Sequence, residues 1–138
     1  SKTIPSQCLQ TKKEGKEGRV TSEIATTMDL FTTIVNICDA PLPNDRVIDG
    51  NNLLPLLSGG SESPTNVLYY CWGEEVQAVR QSEWKYRFTK EEGQQLFNLN
   101  RDPAEKYNVA ESNPGVVKEM HRLLENFSAD TGAKFERR

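Results

Sequence analysis

The side chains that could carry bond chemistry here are one histidine, three cysteines, a few aspartates and a short run of cations. His121 is the only imidazole. It falls four residues after Val117 in a segment of helical periodicity, where it could serve as a general base or a metal ligand. An ordinary helix-surface histidine is the favoured alternative, because no Cys, Ser or acidic partner stands at a recognisable spacing. Cys8, Cys38 and Cys71 form no C-x-x-C pair and have no metal-ligand spacing. Cys38 lies on the apolar side of a predicted helix and Cys71 in an apolar strand, so both are expected to be buried thiols acting as small hydrophobes. One disulfide with one free cysteine is the alternative in an oxidising compartment. Asp29 could ligate a metal, but the first turn of a helix favours a carboxylate without one. Asp45, Asp49 and Asp102 neighbour Asn, Gly or Pro in turns, where Asp bonds to backbone. Arg80, Lys85 and Arg87 could bind an anion. Their alternation with aromatics instead assigns them to the solvent face of a one-sided sheet. No glycine-rich phosphate loop, H-E-x-x-H or G-x-S-x-G is present.

These residues have to be positioned by a small set of elements. Thr26 or Thr27 is expected to cap a helix with Asp29 in its first turn. Phe31, Ile34, Val35 and Cys38 form one apolar stripe along it, widened by Leu30 and Ile37. Pro41 and Pro43 stop it. Asp49-Gly50 marks a turn, and Leu53 to Leu57 around Pro55 read as a short apolar helix ended by Gly59-Gly60. From Val67 the composition shifts to β formers. Val67–Trp72, Val76–Arg80, a strand with Trp84, Tyr86 and Phe88 on one face, and Gln94–Leu99 predict an antiparallel meander. Asn113 and Pro114 open a last helix whose stripe is Val116, Val117, Met120, Leu123, Leu124 and Phe127.

The chain has 138 residues and 36% apolar content, or about 43% with its glycines, slightly below the usual globular share. That suits one modest domain with some tail or loop. A net charge of −3 argues against a dedicated nucleic-acid binder. Residues 1–19 hold five Lys/Arg against two Glu, which reads as a short basic, solvated leader. No stretch approaches the ~18–20 apolar residues of a membrane span. Asn126-Phe127-Ser128 is a formal glycosylation sequon.

One ordered set of segments carries more information than any single motif. It runs T-S-E-I-A-T-T-M-D-L-F-T-T-I-V-N-I-C from Thr21, then D-R-V-I-D-G-N-N-L-L-P-L-L-S-G-G to Gly60. Ala78-Val79-Arg80, Trp84-Lys85-Tyr86 and L-F-N-L-N-R-D-P-A-E-K-Y-N-V-A from Leu96 follow. In this order they resemble the C-terminal region of the sulfatase family, arylsulfatase and N-acetylgalactosamine-6-sulfatase branch, over roughly residues 19 to 127. The resemblance implies sulfate-ester hydrolysis by a formylglycine made from the Cys or Ser of C-x-P-x-R or S-x-P-x-R. It also implies a calcium ion held by Asp and Asn, with Lys and His on the sulfate oxygens. Cys8 is followed by Leu9-Gln10-Thr11, Cys38 by Asp39-Ala40-Pro41 and Cys71 by Trp72-Gly73-Glu74, and no Ser begins the motif either. Scaffold positions alone match: Met28 to Phe31, Asp49-Gly50, Leu53, Pro55 to Leu57, Tyr69, Tyr70, Ala78 to Arg80, Trp84, Lys85, Leu96, Phe97 and Asp102 to Glu105. Thr32 stands where most members have Pro.

The expectation is an α+β fold. A small four-stranded antiparallel sheet is packed by a C-terminal helix and preceded by an amphipathic helix from the edge of a larger α/β domain. The expected divisions are a poorly matched leader (1–19), a helix-loop segment (20–60), a C-terminal subdomain (61–130) and a tail (131–138). No catalytic, cofactor-binding or metal-binding residue is assigned. Calcium and formylglycine are expected in the full-length family and not in this chain. The expected partner is the missing catalytic domain of the same protein or a self-associating copy, with no nucleic acid and no membrane span. A lysosomal or secreted location follows from the family. A non-enzymatic binding or dimerisation module is the alternative.

Overall fold

The structure, a computed structural model, describes residues 20–60 and 62–135. The expectations for the basic leader and for Cys8 lie outside these residues. The chain divides into two compact units between Thr65 and Asn66.

The first unit holds α1 (Thr27–Ile37) and α2 (Leu54–Leu57). Thr26 is the N-cap of α1 and forms a reciprocal capping box with Asp29. The cap was legible; the burial of the helix was not. The side of α1 that is buried is the polar one, Asp29, Thr32 and Thr33. The stripe of Leu30, Phe31 and Ile34, with Met28, is exposed, Ile34 by 58%. Ile24, Leu53 and Leu56 are the buried apolar residues of this unit, against buried Asp29, Thr32, Thr33 and Ser63. Its interior is therefore more polar than apolar among the described residues. Gly50 makes this possible, because a Cβ there would sit 2.1 Å from the Met28 carbonyl oxygen.

The second unit is the expected meander: β1 (Val67–Trp72), β2 (Glu75–Gln81), β3 (Trp84–Thr89) and β4 (Gly93–Asn98), then α3 (Pro114–Thr131). The sheet is antiparallel in the order β1-β2-β3-β4. Gly73 at φ 59° and Gly93 at φ 69° take the left-handed turn positions that favour glycine. Tyr69, Val79, Tyr86 and Leu96 pair in one row across all four strands. Pairing fixes the face, so this row, with Val76, meets Val117, Met120 and Leu124 of α3 in a single core. Tyr69 stacks on Phe127 at 4.1 Å between ring centroids.

Several details depart from expectation. Asn113 occupies the N-cap of α3, but its side chain donates to the Val109 carbonyl and caps nothing. After Gly132 the chain returns to the sheet: Lys134 forms a parallel bridge with Glu75, and Phe135 packs edge-on against Phe88 and His121. The second face of the sheet is not simply solvated, since Ala78 and Phe97 on it are buried. Cys38 and Cys71, expected inside, are both exposed. Cys38 sits at the C-cap of α1, beside the uncovered stripe. Cys71 lies on the outermost strand, past the register shift that breaks the β1–β2 ladder after Tyr70.

Leu124 is fully buried between α3 and the sheet. Replacing it by Ala should cost about 2–5 kcal/mol in chemical unfolding followed by tryptophan fluorescence. An unchanged midpoint would mean that α3 docks elsewhere.

Candidate functional site

Asp29 is 1% exposed, and its carboxylate is saturated by donors. Its Oδ2 accepts from the Thr26 backbone N–H at 2.7 Å and from the Thr26 hydroxyl at 2.8 Å. Its Oδ1 accepts from the Asn51 N–H at 2.7 Å and from the Thr65 hydroxyl at 3.3 Å. Burial pushes the carboxyl pKa up. The bonds from Asn51, Thr26 and Thr65 outweigh it and hold the group below its ordinary value. Thr33 extends the cluster, donating to the Asp29 carbonyl and accepting from the Leu53 N–H. Thr32 donates to the Gly50 carbonyl at 2.9 Å. Four polar hydrogens already point at the carboxylate, so a cation has no lone pair to take. Asp29 is a structural hub and does not fit a calcium ligand.

His121 is not the plain surface histidine expected from the sequence. Its Nδ1 lies 2.9 Å from the Tyr86 hydroxyl, and its Nε2 lies 3.7 Å from Glu125 Oε1. The i,i+4 spacing of Glu125 was a visible signal; Tyr86, 35 residues away, was not. A Tyr–His–Glu series invites comparison with a catalytic triad. Its chemistry is opposite. Desolvation, helped by the Glu125 charge and opposed by a hydrogen bond from Gln94, pushes the Tyr86 pKa up to about 12. A nucleophile or base needs the reverse shift. The phenol is also 0% exposed and out of reach of a substrate.

The three cations are accounted for in different ways. Arg80, Lys85 and Arg87 share the sheet face turned from α3, as pairing of Arg80 with Lys85 and of Arg87 with Ala78 requires. Lys85 pairs with Glu105 at 2.7 Å, and its ammonium sits 4.8 Å from the Tyr70 ring centroid. Arg87 pairs with Glu92 at 2.8 Å and bonds to Gln95. Arg80 donates to the Ser82 carbonyl. Asp45 pairs with Arg46, and Asp102 accepts from the Tyr107 N–H at 2.8 Å. Among the described residues no group of three or more His, Cys, Asp or Glu side chains could hold a metal ion.

With this geometry in hand, relatives decide the family. The sequence pattern of the family described as "N-sulphoglucosamine sulphohydrolase, C-terminal" matches residues 5–130. The chain belongs to the sulfatase family, as its C-terminal domain. N-acetylgalactosamine-6-sulfatase of Canis lupus familiaris is 28% identical over 77% of this chain and 26% of its own length. Arylsulfatase A of Homo sapiens is 32% identical over 75% of this chain and 26% of its own. The crystal structure of Ps i-CgsB superposes with a TM-score of 0.68 at 26% identity, over 84% of this chain and 27% of that one. The PsFucS1 sulfatase of Pseudoalteromonas sp. shares the fold at a TM-score of 0.71 and 18% identity, over 86% of this chain and 28% of that one. This sulfatase domain thus spans about a quarter of the length of the curated relatives it matches.

Within it, the acid-sensitive element is the Asp29 hub. A carboxyl whose folded pKa is depressed adds stability above the unfolded value and loses it as pH falls through the folded one. Asp29→Asn turns one acceptor into a donor facing donors. At neutral pH it should cost about 1.5–3 kcal/mol, the range for hydrogen bonds to charged groups. The gap to wild type should close below about pH 4. Urea unfolding of both proteins across pH 3–7, read by circular dichroism, checks this; a pH-independent gap would contradict it.

Proposed function

We propose that this domain is the scaffold and active-site rim of a sulfuric ester hydrolase of arylsulfatase type, with no chemistry of its own. The observation that carries the proposal is α1. A helix that buries Asp29, Thr32 and Thr33 and leaves Met28, Leu30, Phe31 and Ile34 in water has its apolar face prepared for something else. Each such side chain left exposed forfeits about 1.5–3 kcal/mol relative to burial. The occupant we assign is the catalytic region that makes up most of the length of the relatives, such as N-acetylgalactosamine-6-sulfatase and arylsulfatase A. In this reading formylglycine and calcium belong to that region. The described residues do not fit the ion, and no described cysteine begins the formylglycine motif. The rim role falls to the sheet face of Arg80, Lys85 and Arg87. A self-associating module that kept the scaffold is the second reading, and it rests on the same exposed face.

The coding context separates the two. An upstream reading frame encoding C-x-P-x-R or S-x-P-x-R together with Asp-rich and His-bearing segments supports the hydrolase. A start codon directly before Ser1, with a stable dimer, supports the module. The purified 138-residue chain should not hydrolyse an aryl sulfate, and calcium should not raise its Tm, since a ligand stabilises only what it binds. Calcium-dependent turnover that survives contamination controls would sink the proposal. The face itself has a direct test. Replacing Leu30, Phe31 and Ile34 together by Ser should abolish binding of a hydrophobic dye while leaving helix content unchanged. Loss of the fold in that variant would show that the stripe already supports the domain.

A further inference from the structure

Beyond that role, the second unit contains a chain of polar groups that scaffolding does not require. Tyr86 on β3 meets His121 on α3 at 2.9 Å, and His121 reaches Glu125 at 3.7 Å. Gln94 on β4 bonds to the same phenol. Gln94, His121 and Glu125 all line one surface groove of about 1090 Å³ beside α3. The phenol keeps its proton throughout the physiological range. At 2.9 Å it must donate that proton to a bare Nδ1, so the imidazole hydrogen sits on Nε2, toward Glu125. The Tyr86 oxygen is then left to accept from the Gln94 amino group, and the Gln94 carbonyl is left for the groove.

We propose that this chain is a proton-operated relay: protonation of His121 at Nδ1 reverses the Tyr86–His121 bond and turns the Gln94 amide, so that the groove exchanges a carbonyl acceptor for an amino donor. The reasons are steric and local. An N–H and an O–H cannot both point along one 2.9 Å contact. Tyr86 is fully buried, so water cannot receive the displaced hydroxyl hydrogen. Gln94 is the neighbour left to accept it, and its side chain is exposed and free to turn. The incoming proton also sets an imidazolium beside Glu125. The other charged groups facing the groove are Lys118, Glu119 and Arg122 on α3, Glu92 from the β3–β4 turn, and Glu111 from the loop before α3. Of these Glu92 is held by Arg87. From the remaining elements His121 meets only rings, those of Phe88 on β3 and Phe135 on the tail.

Nitrogen-15 NMR of the labelled chain across a pH titration tests the relay. At high pH the His121 ring should show the Nε2–H tautomer. On acidification the Gln94 side-chain amide signals should move with the same midpoint as the His121 ring. Tyr86→Phe should abolish that step in Gln94 while His121 still titrates. His121→Gln, which keeps a polar partner for the phenol, should abolish it too and decides the matter if Tyr86→Phe does not fold. An Nδ1–H tautomer, or Gln94 signals that follow a carboxylate midpoint, overturns the proposal. So does a Gln94 step that persists in either variant.

Discussion

A carboxylate withdrawn from water must be surrounded by donors, and in this domain that requirement governs the first unit. Asp29 collects N–H and O–H groups from the cap of its own helix, from the loop at Asn51 and from Thr65. Hydrogen bonds are directional, and burial of apolar surface is not. Once Thr32 and Thr33 are tied to Gly50 and Leu53, rotation of α1 about its axis is fixed. The helix cannot turn its apolar stripe inward without leaving a buried charge unpaired, which costs more than the stripe gains. The exposed stripe is thus a consequence of the polar hub.

The second unit solves the opposite problem. Its row of Tyr69, Val79, Tyr86 and Leu96 is closed by α3, and its only buried polar handle, the Tyr86 hydroxyl, has a partner. One sheet edge is guarded as well: the Leu96 N–H bonds to Asn108 Oδ1 and its carbonyl accepts from the Val109 N–H. The β1 edge carries Tyr70, Cys71 and Trp72 in the open, with Trp72 77% exposed. An uncharged edge of this kind is ordinarily covered or blunted. Both units therefore keep apolar surface in water, through different elements and for different local reasons.

The elements were legible because each has a local cause. Thr26 and Asp29, the period-two run of Trp84, Tyr86 and Phe88, and Pro114 with its apolar stripe name their own structures. The sides they present were legible only where a core closes within the unit. For α3 the stripe and the buried face coincide at Val117, Met120 and Leu124. For α1 they are opposite, because a helix pattern records which face is apolar and not whether anything covers it. The two cysteines follow from the same blindness, both lying on surfaces that composition alone assigns to an interior. The Tyr86–His121 contact joins residues on different elements, a pairing that no spacing rule reaches. The return of Lys134 and Phe135 to the sheet is of the same kind.

The placement of charge explains why a scaffold of this sort can serve a hydrolase without holding its chemistry. A sulfate ester needs cations and an activated nucleophile converging on one point in a water-poor site. Here Lys85 and Arg87 are separately neutralised by Glu105 and Glu92, and the titratable phenol is pushed away from reactivity. Arranged this way, the sheet holds cations rigidly at known positions while drawing no ligand of its own. A paired cation can be redirected when a partner surface displaces its carboxylate, at a cost set by partial exposure. The domain's ion pairs are half-exposed, so that exchange stays within reach of the apolar contact energy available along α1.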